Sequence, residues 1–204
     1  RLTIYCLTCL IGGSPLFAQQ GVTQCGTPTG QPKFPIETYQ ELPDPSSPSD
    51  KDWAAVTIPQ ISWGTIDTRY AKHRLPQLKK QQLTTLKGWR GERVNAQAVV
   101  WTGTEVKDLN FSFTDFKDKK GNSLSDEAFK AGFIRYVMTD ELNKDGRGAC
   151  GHRQAVDYDS LLVADPIDTN LKSMSVPART VQPIWVQCWI PQSATPGTYK
   201  GALL

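Results

Sequence analysis

The sequence is poor in the residues that hold metals and cofactors. It contains two histidines, His73 and His152, and its cysteines at 25, 150 and 188 are scattered rather than paired at ligand spacing. That pattern does not make a metal site, and no metal is expected. It has neither a phosphate loop nor a dinucleotide fingerprint, so no nucleotide cofactor is expected either. Charge of one sign is also scarce: 23 basic residues against 20 acidic ones leave a formal +3. A chain so nearly balanced has no basic stripe for nucleic acid; Lys79-Lys80 and Lys117 to Lys120 read as solvated faces or turns. No apolar run approaches the roughly 20 residues that span a bilayer, so no stable membrane span is expected. Regular strand–helix alternation is missing too, which argues against a parallel α/β fold.

The opening stretch is RLTIYCLTCLIGGSPLFAQQ. One positive charge, Arg1, precedes a short apolar stretch, and Ala18 precedes the polar Gln19-Gln20. This is the layout of a secretory signal peptide over residues 1–18, and it places the mature protein in the periplasm or outside the cell. Cys6 and Cys9 would leave with the signal, so their C-x-x-C spacing carries no redox or zinc meaning. Cys25, Cys150 and Cys188 remain, an odd count whose pairing the sequence does not choose.

Residues 19–52 are punctuated by Pro28, Pro32, Pro35, Pro43, Pro45 and Pro48, with serines between. Repeated proline removes backbone donors and favours extended chain. The segment reads as a Pro/Ser-rich arm or linker lying on another surface.

From Trp53 the pattern changes to short runs of Val, Ile, Thr, Trp and Phe bounded by Gly, Pro, Asn and Asp. Strands are predicted around Val94–Trp101, Leu109–Phe113, Phe133–Met138 and Ile184–Ile190, the last bounded by Pro183 and Pro191. Ser125 to Lys130 reads as a helical turn with Ser125 as its cap. Six or seven such strands predict an all-β antiparallel sandwich of the immunoglobulin or jelly-roll kind over residues 53–204. After the Pro196-Gly197 turn the final residues look like the start of a further strand, so the sandwich is expected to be incomplete at its C-terminus. The chain has six tryptophans. Core packing between sheets accounts for them; stacking on sugar rings is the alternative for Trp63, Trp101 and Trp189.

No complete catalytic constellation is legible. Asp140-Glu141, Asp157 with Asp159, and Asp165 with Asp168 are neighbouring carboxylates beside turn formers, where Asp is a common structural residue. Ser160 lacks the glycines of a nucleophile elbow. Cys150 lies two residues from His152, but nucleophile and base are usually distant in sequence. The densest cluster is Trp89-Arg90-Gly91-Glu92-Arg93, running into Val94 to Gln97. Two arginines flanking a glutamate at the start of a strand read as a structural clamp at a sheet edge or part of a docking surface. No catalytic residue is assigned.

These blocks also carry a family likeness. The Trp89–Arg93 run followed by Gln97, Leu162-Val163-Ala164-Asp165-Pro166-Ile167-Asp168, Gln182-Pro183-Ile184-Trp185-Val186, and Ile190-Pro191 through Ala194-Thr195-Pro196-Gly197-Thr198-Tyr199-Lys200-Gly201 resemble the N-terminal domain of glycoside hydrolase family 123 and its relatives in gut Bacteroidales. The resemblance implies a β-sandwich that precedes a (β/α)₈ barrel. In that family the barrel carries an adjacent Asp–Glu pair and removes terminal N-acetylgalactosamine by substrate-assisted retention. Asp140-Glu141 lies in the sandwich region and is not that pair. The expectation is a non-catalytic accessory sandwich whose partner is its own C-terminal catalytic domain. The alternatives are a free-standing carbohydrate-binding or adhesion module, and a small enzyme using Cys150 and His152.

Overall fold

In the strands, alternation of side chains sorts apolar residues onto faces, and each face has found a cover. The computed structural model describes residues 39–139 and 161–204. A five-stranded antiparallel sheet forms the main layer, in the order β1 (Gln60–Gly64), β2 (Arg93–Thr102), β9 (Thr180–Trp189), β6 (Phe129–Thr139) and β7 (Leu161–Asp168). Smaller pairs are β3 (Val106–Asn110) with β8 (Ser173–Val176), and β4 (Phe116–Lys117) with β5 (Ser123–Leu124). Beside β4, the C-terminal residues form an antiparallel ladder: Ser112 and Leu204 exchange backbone hydrogen bonds of 3.0 and 2.9 Å, and Lys117 and Lys200 do so at 3.0 and 2.9 Å. The fold is an all-β antiparallel sandwich.

The inner face of the main sheet carries Ala96, Ala98 and Val100 from β2, Ala131 and Phe133 from β6, and Ile184 and Val186 from β9. Leu109, Phe111, Phe113, Met174 and Leu203 of the second layer pack onto it. Phe111 and Phe133 lie 5.1 Å apart, ring centre to ring centre, in a tilted arrangement. The outer face is covered differently. Val99, Trp101 and Val181 lie under Trp53 of a single helical turn, α1 (Asp50–Trp53), and under Tyr70, Leu75 and Leu78 of the β1–β2 connection. Trp53 Nε1 donates to the His73 carbonyl at 3.0 Å, which fastens that turn to the connection.

Some boundaries differ from the sequence expectation, and each difference has a cause. Pro183 does not end β9 but lies within it, opposite Val99. A proline in a central strand removes one ladder donor. The Gln182 side chain replaces it, with Nε2 donating to the Ile134 carbonyl at 2.9 Å. β7 contains Asp165-Pro166, which reads as a turn; it is an edge strand, and the register shifts there opposite Arg135. The expected strand through Leu109, Phe111 and Phe113 divides: β3 pairs with β8, and the residues after it pair with the C-terminal segment. The turn at Ser125 forms as a 3-10 helix, Asp126–Ala128, with the Ser125 carbonyl accepting from Ala128 N at 2.9 Å, but Phe129 and Lys130 already belong to β6.

Candidate functional site

The Trp89–Arg93 cluster folds as a tight turn that feeds β2 and grips the end of β9. Glu92 N donates to the Trp89 carbonyl at 3.0 Å, and the Glu92 carboxylate accepts from Trp89 N at 2.7 Å. Gly91 N donates to the Ile190 carbonyl at 2.8 Å and Ile190 N returns a bond to the Glu92 carbonyl at 2.9 Å. Gly91 sits at φ 82°, where a Cβ would also meet the Gln192 side chain; only glycine adopts this conformation at little cost. Glu92 is thus engaged by the backbone, and among the described residues no ion pair joins it to Arg90 or Arg93. Arg93 instead lies over the Trp189 ring at 4.9 Å, and Trp189 Nε1 donates to the Gly91 carbonyl at 3.2 Å. Trp89 is 75% exposed and Trp189 54%. The run therefore presents an exposed aromatic and cationic surface on a stiff turn.

The other two tryptophans singled out for sugar stacking are placed differently. Trp101 is 5% exposed, packs into the outer-face core, and has Lys80 Nζ over its ring at 5.6 Å. It offers no open face to a ring, because the turn and connection that cover the sheet lie on it. Trp63 is half-buried against the inner core, with Nε1 donating to the Gln82 carbonyl at 3.2 Å. Of the three, Trp189 keeps an accessible ring. Asp140-Glu141, Cys150, His152, Asp157, Asp159 and Ser160 lie outside the described residues.

A half-buried charge network was not foreseen from the sequence. Glu41, from the Pro-rich arm, accepts from Lys72 Nζ at 2.6 Å, Arg135 Nε at 3.0 Å and Tyr136 N at 3.1 Å. Arg135 also reaches Asp168 at 3.3 Å, and its guanidinium lies over the Tyr39 ring at 5.1 Å. Tyr39 donates to the Tyr136 carbonyl at 2.6 Å. Burial alone would raise the Glu41 pKa, but the hydrogen bond and charge of Lys72, then Arg135 and the Tyr136 amide, outweigh it and hold the carboxyl below its usual range. Burial, then the Glu41 charge, pushes the Tyr39 phenol up, with Arg135 opposing. An arginine inside an apolar strand was the available signal, since a guanidinium there needs a carboxylate partner. Asp168 is fully engaged as well: its other oxygen accepts from Asn170 N and Leu171 N, both at 3.1 Å, closing the turn after β7. A carboxylate held ionised by two cations is a poor general acid, so the network fastens the arm to the sheet.

Among the described residues there is no group of three or more His, Cys, Asp or Glu placed to hold a metal ion, and no helix long and apolar enough to cross a membrane. Cys188 is a buried free thiol, and burial raises its pKa, which leaves it a weak nucleophile. Among the described residues, two open clefts lie on the side of the C-terminal segment. One, of about 250 Å³, is lined by Asn122, Ser123, Ser125, Ser193, Thr195 and Tyr199; it contains no carboxylate.

The fold resembles a solved structure, a family 123 glycoside hydrolase from Clostridium perfringens studied for glycolipid glycan hydrolysis. The two share 23% identity with a TM-score of 0.59, over 72% of this chain and 24% of that one. The chain thus spans about a quarter of that enzyme's length. No curated protein matches it. Residues 63–204 match the family model of the glycoside hydrolase 123 N-terminal domain. They include the Trp89–Arg93 turn, all five strands that surround the inner core except the first residues of β1, and the C-terminal ladder. The chain belongs to the glycoside hydrolase 123 N-terminal domain family.

Proposed function

We propose that this domain is the non-catalytic N-terminal sandwich of an exported glycoside hydrolase, periplasmic or extracellular, that acts on terminal N-acetylgalactosamine. Its partner is the catalytic (β/α)₈ barrel of the same polypeptide, and the Trp89, Arg90, Glu92, Arg93 turn is a clamp at the interface between the two. The match of residues 63–204 to an N-terminal domain of that family carries this reading. The turn supports the role given to it: Gly91 and Glu92 are fixed by backbone bonds to Ile190, just past β9, and Trp89 N by the Glu92 carboxylate, while Trp89 and Trp189 remain exposed, as an interface anchor requires. Reading the coding sequence past the Leu204 codon tests the proposal. An open frame encoding a barrel with an adjacent Asp–Glu pair is expected; a stop codon within a few residues, with no barrel following, ends it.

A second reading draws on the same exposed rings. Trp89 and Trp189 would stack on sugar, making the sandwich a glycan-binding module in its own right. Affinity electrophoresis of the chain through gels containing N-acetylgalactosamine polymers separates the two. Retardation that Trp189→Ala removes favours the module, and unretarded migration removes it.

A further inference from the structure

The structure brings together lysines that are remote in sequence. The β4–β5 hairpin supplies Lys117, Lys119 and Lys120, and the C-terminal ladder supplies Lys200, about eighty residues on. Between them, over the Pro196-Gly197 turn, lies an open cleft of about 590 Å³. That volume falls within the roughly 300–1,000 Å³ usual for small-ligand sites.

The nearby acidic groups do not cancel the charge evenly. Asp115 is paired with Lys117 at 2.8 Å. Asp118 is occupied by its own turn: one carboxylate oxygen accepts from Lys120 N and Asn122 N, both at 2.8 Å, and the other from Asn122 Nδ2 at 2.7 Å. Those bonds hold its pKa below the ordinary range, so it stays ionised. Asp118 itself lines the cleft, and a Cβ on Gly197 would meet its Oδ2, so one carboxylate lies among the four lysines. Among the described residues, no ion pair engages Lys119, Lys120 or Lys200. The cleft is therefore lined by three lysines outside any ion pair against the single carboxylate of Asp118, a net positive lining whose field a cleft concentrates.

We propose that this cleft binds an anionic glycan through the sulfate or carboxylate groups on its sugar units. An ammonium is a compact point charge suited to sulfate or carboxylate without demanding planar geometry. The lining contains no aromatic side chain, whereas single-stranded nucleic acid relies on stacking platforms. It also contains no large apolar side chain to enter a lipid surface. The inference extends the carbohydrate reading above to a second site, remote from the Trp89–Arg93 turn in sequence.

The test is affinity electrophoresis of the whole chain through gels containing dextran sulfate (sulfate only), hyaluronan (carboxylate only), neutral dextran or single-stranded DNA. The expected result is retardation by dextran sulfate or hyaluronan and none by dextran. The triple variant K119E/K120E/K200E should weaken retardation at least tenfold. The charge-matched variant K51E/K87E/K107E, altered at exposed lysines elsewhere, should weaken it less than twofold. Should the first variant misfold by circular dichroism, K119Q/K120Q, confined to the hairpin tip, replaces it with an expected threefold loss. Equal losses in the cleft and control variants, or stronger retardation by DNA than by either polysaccharide, would overturn the proposal. So would the absence of retardation by any anionic polymer. A glycosidase whose sandwich passes through these gels unretarded would end this inference and leave the catalytic reading standing.

Discussion

Glu41 is a single acidic side chain in a proline-rich segment, yet three donors from two other parts of the chain converge on it. Replacing it with alanine leaves Lys72 and Arg135 half-buried without their shared carboxylate. Removing one partner of a buried pair is costly because the remaining charge stays desolvated. We expect Glu41→Ala to lower unfolding free energy by about 3 kcal/mol, the lower part of the range for such losses, measured by urea denaturation. The same residue sets a pH dependence. Its folded pKa lies below its unfolded one, so its stabilisation is complete above the ordinary carboxylate range and is lost as pH falls through the folded value. Glu41→Gln should flatten the acid limb of a Tm-against-pH curve; an unchanged limb would show that the loss arises elsewhere. Gln182 makes a comparable prediction in an apolar setting. Its amide supplies the donor that Pro183 lacks, so Gln182→Leu leaves the Ile134 carbonyl unsatisfied and should cost about 1–3 kcal/mol.

At the level of elements, the central strands were the most legible. β2, β6 and β9 are long and largely buried, so apolar residues dominate them despite polar positions such as Gln97, Arg135 and Gln182. β7 was hidden by Asp165-Pro166-Ile167-Asp168, which has the composition of a turn. An edge strand with a register shift tolerates a proline, and the closing Asp168 serves the next turn through its side chain. The helical turn α1 was missed because a four-residue element has no periodicity to detect. Of the candidate site, the Trp89–Arg93 run was visible as a dense cluster. That Glu92 would engage backbone rather than arginine depended on Gly91 turning at positive φ, which fixes where its carboxylate points. Gly91→Ala should therefore destabilise the domain by about 1–2 kcal/mol through backbone strain and alter the near-ultraviolet circular dichroism of Trp189. Retention of that signal would separate the turn from the tryptophan. The segment that carries Tyr39, Glu41 and α1 precedes the residues matched to the family, and through Trp53 it shares with the β1–β2 connection the covering of one face of the sheet. A chain beginning at residue 63 should expose Val99, Trp101 and Val181 and bind the dye ANS, whereas one beginning at residue 39 should not.

For the whole molecule, the proposed supporting role is consistent with where the polar groups are used. Among the described residues, the half-buried Glu41 and the buried Asp168 are held by cations and backbone amides, while the exposed Trp89 lies on a stiff turn and the exposed Trp189 at the end of β9. Such an arrangement holds a shape and presents surfaces. Sequence patterns report that role through faces and turns, but they are silent about which residues from distant segments meet, as Glu41 meets Arg135 and Lys200 meets Lys117. The central proposal is that this sandwich supports catalysis in a larger glycoside hydrolase without performing it. The direct measurement is release of phenolate from an aryl glycoside of N-acetylgalactosamine. It compares, at equal molar concentration, the chain ending at Leu204 with the protein extended by its following coding sequence. The account predicts release by the extended protein and none above the blank by the chain ending at Leu204. Sustained release by that shorter chain, proportional to its concentration and abolished by Cys150→Ala, would contradict it.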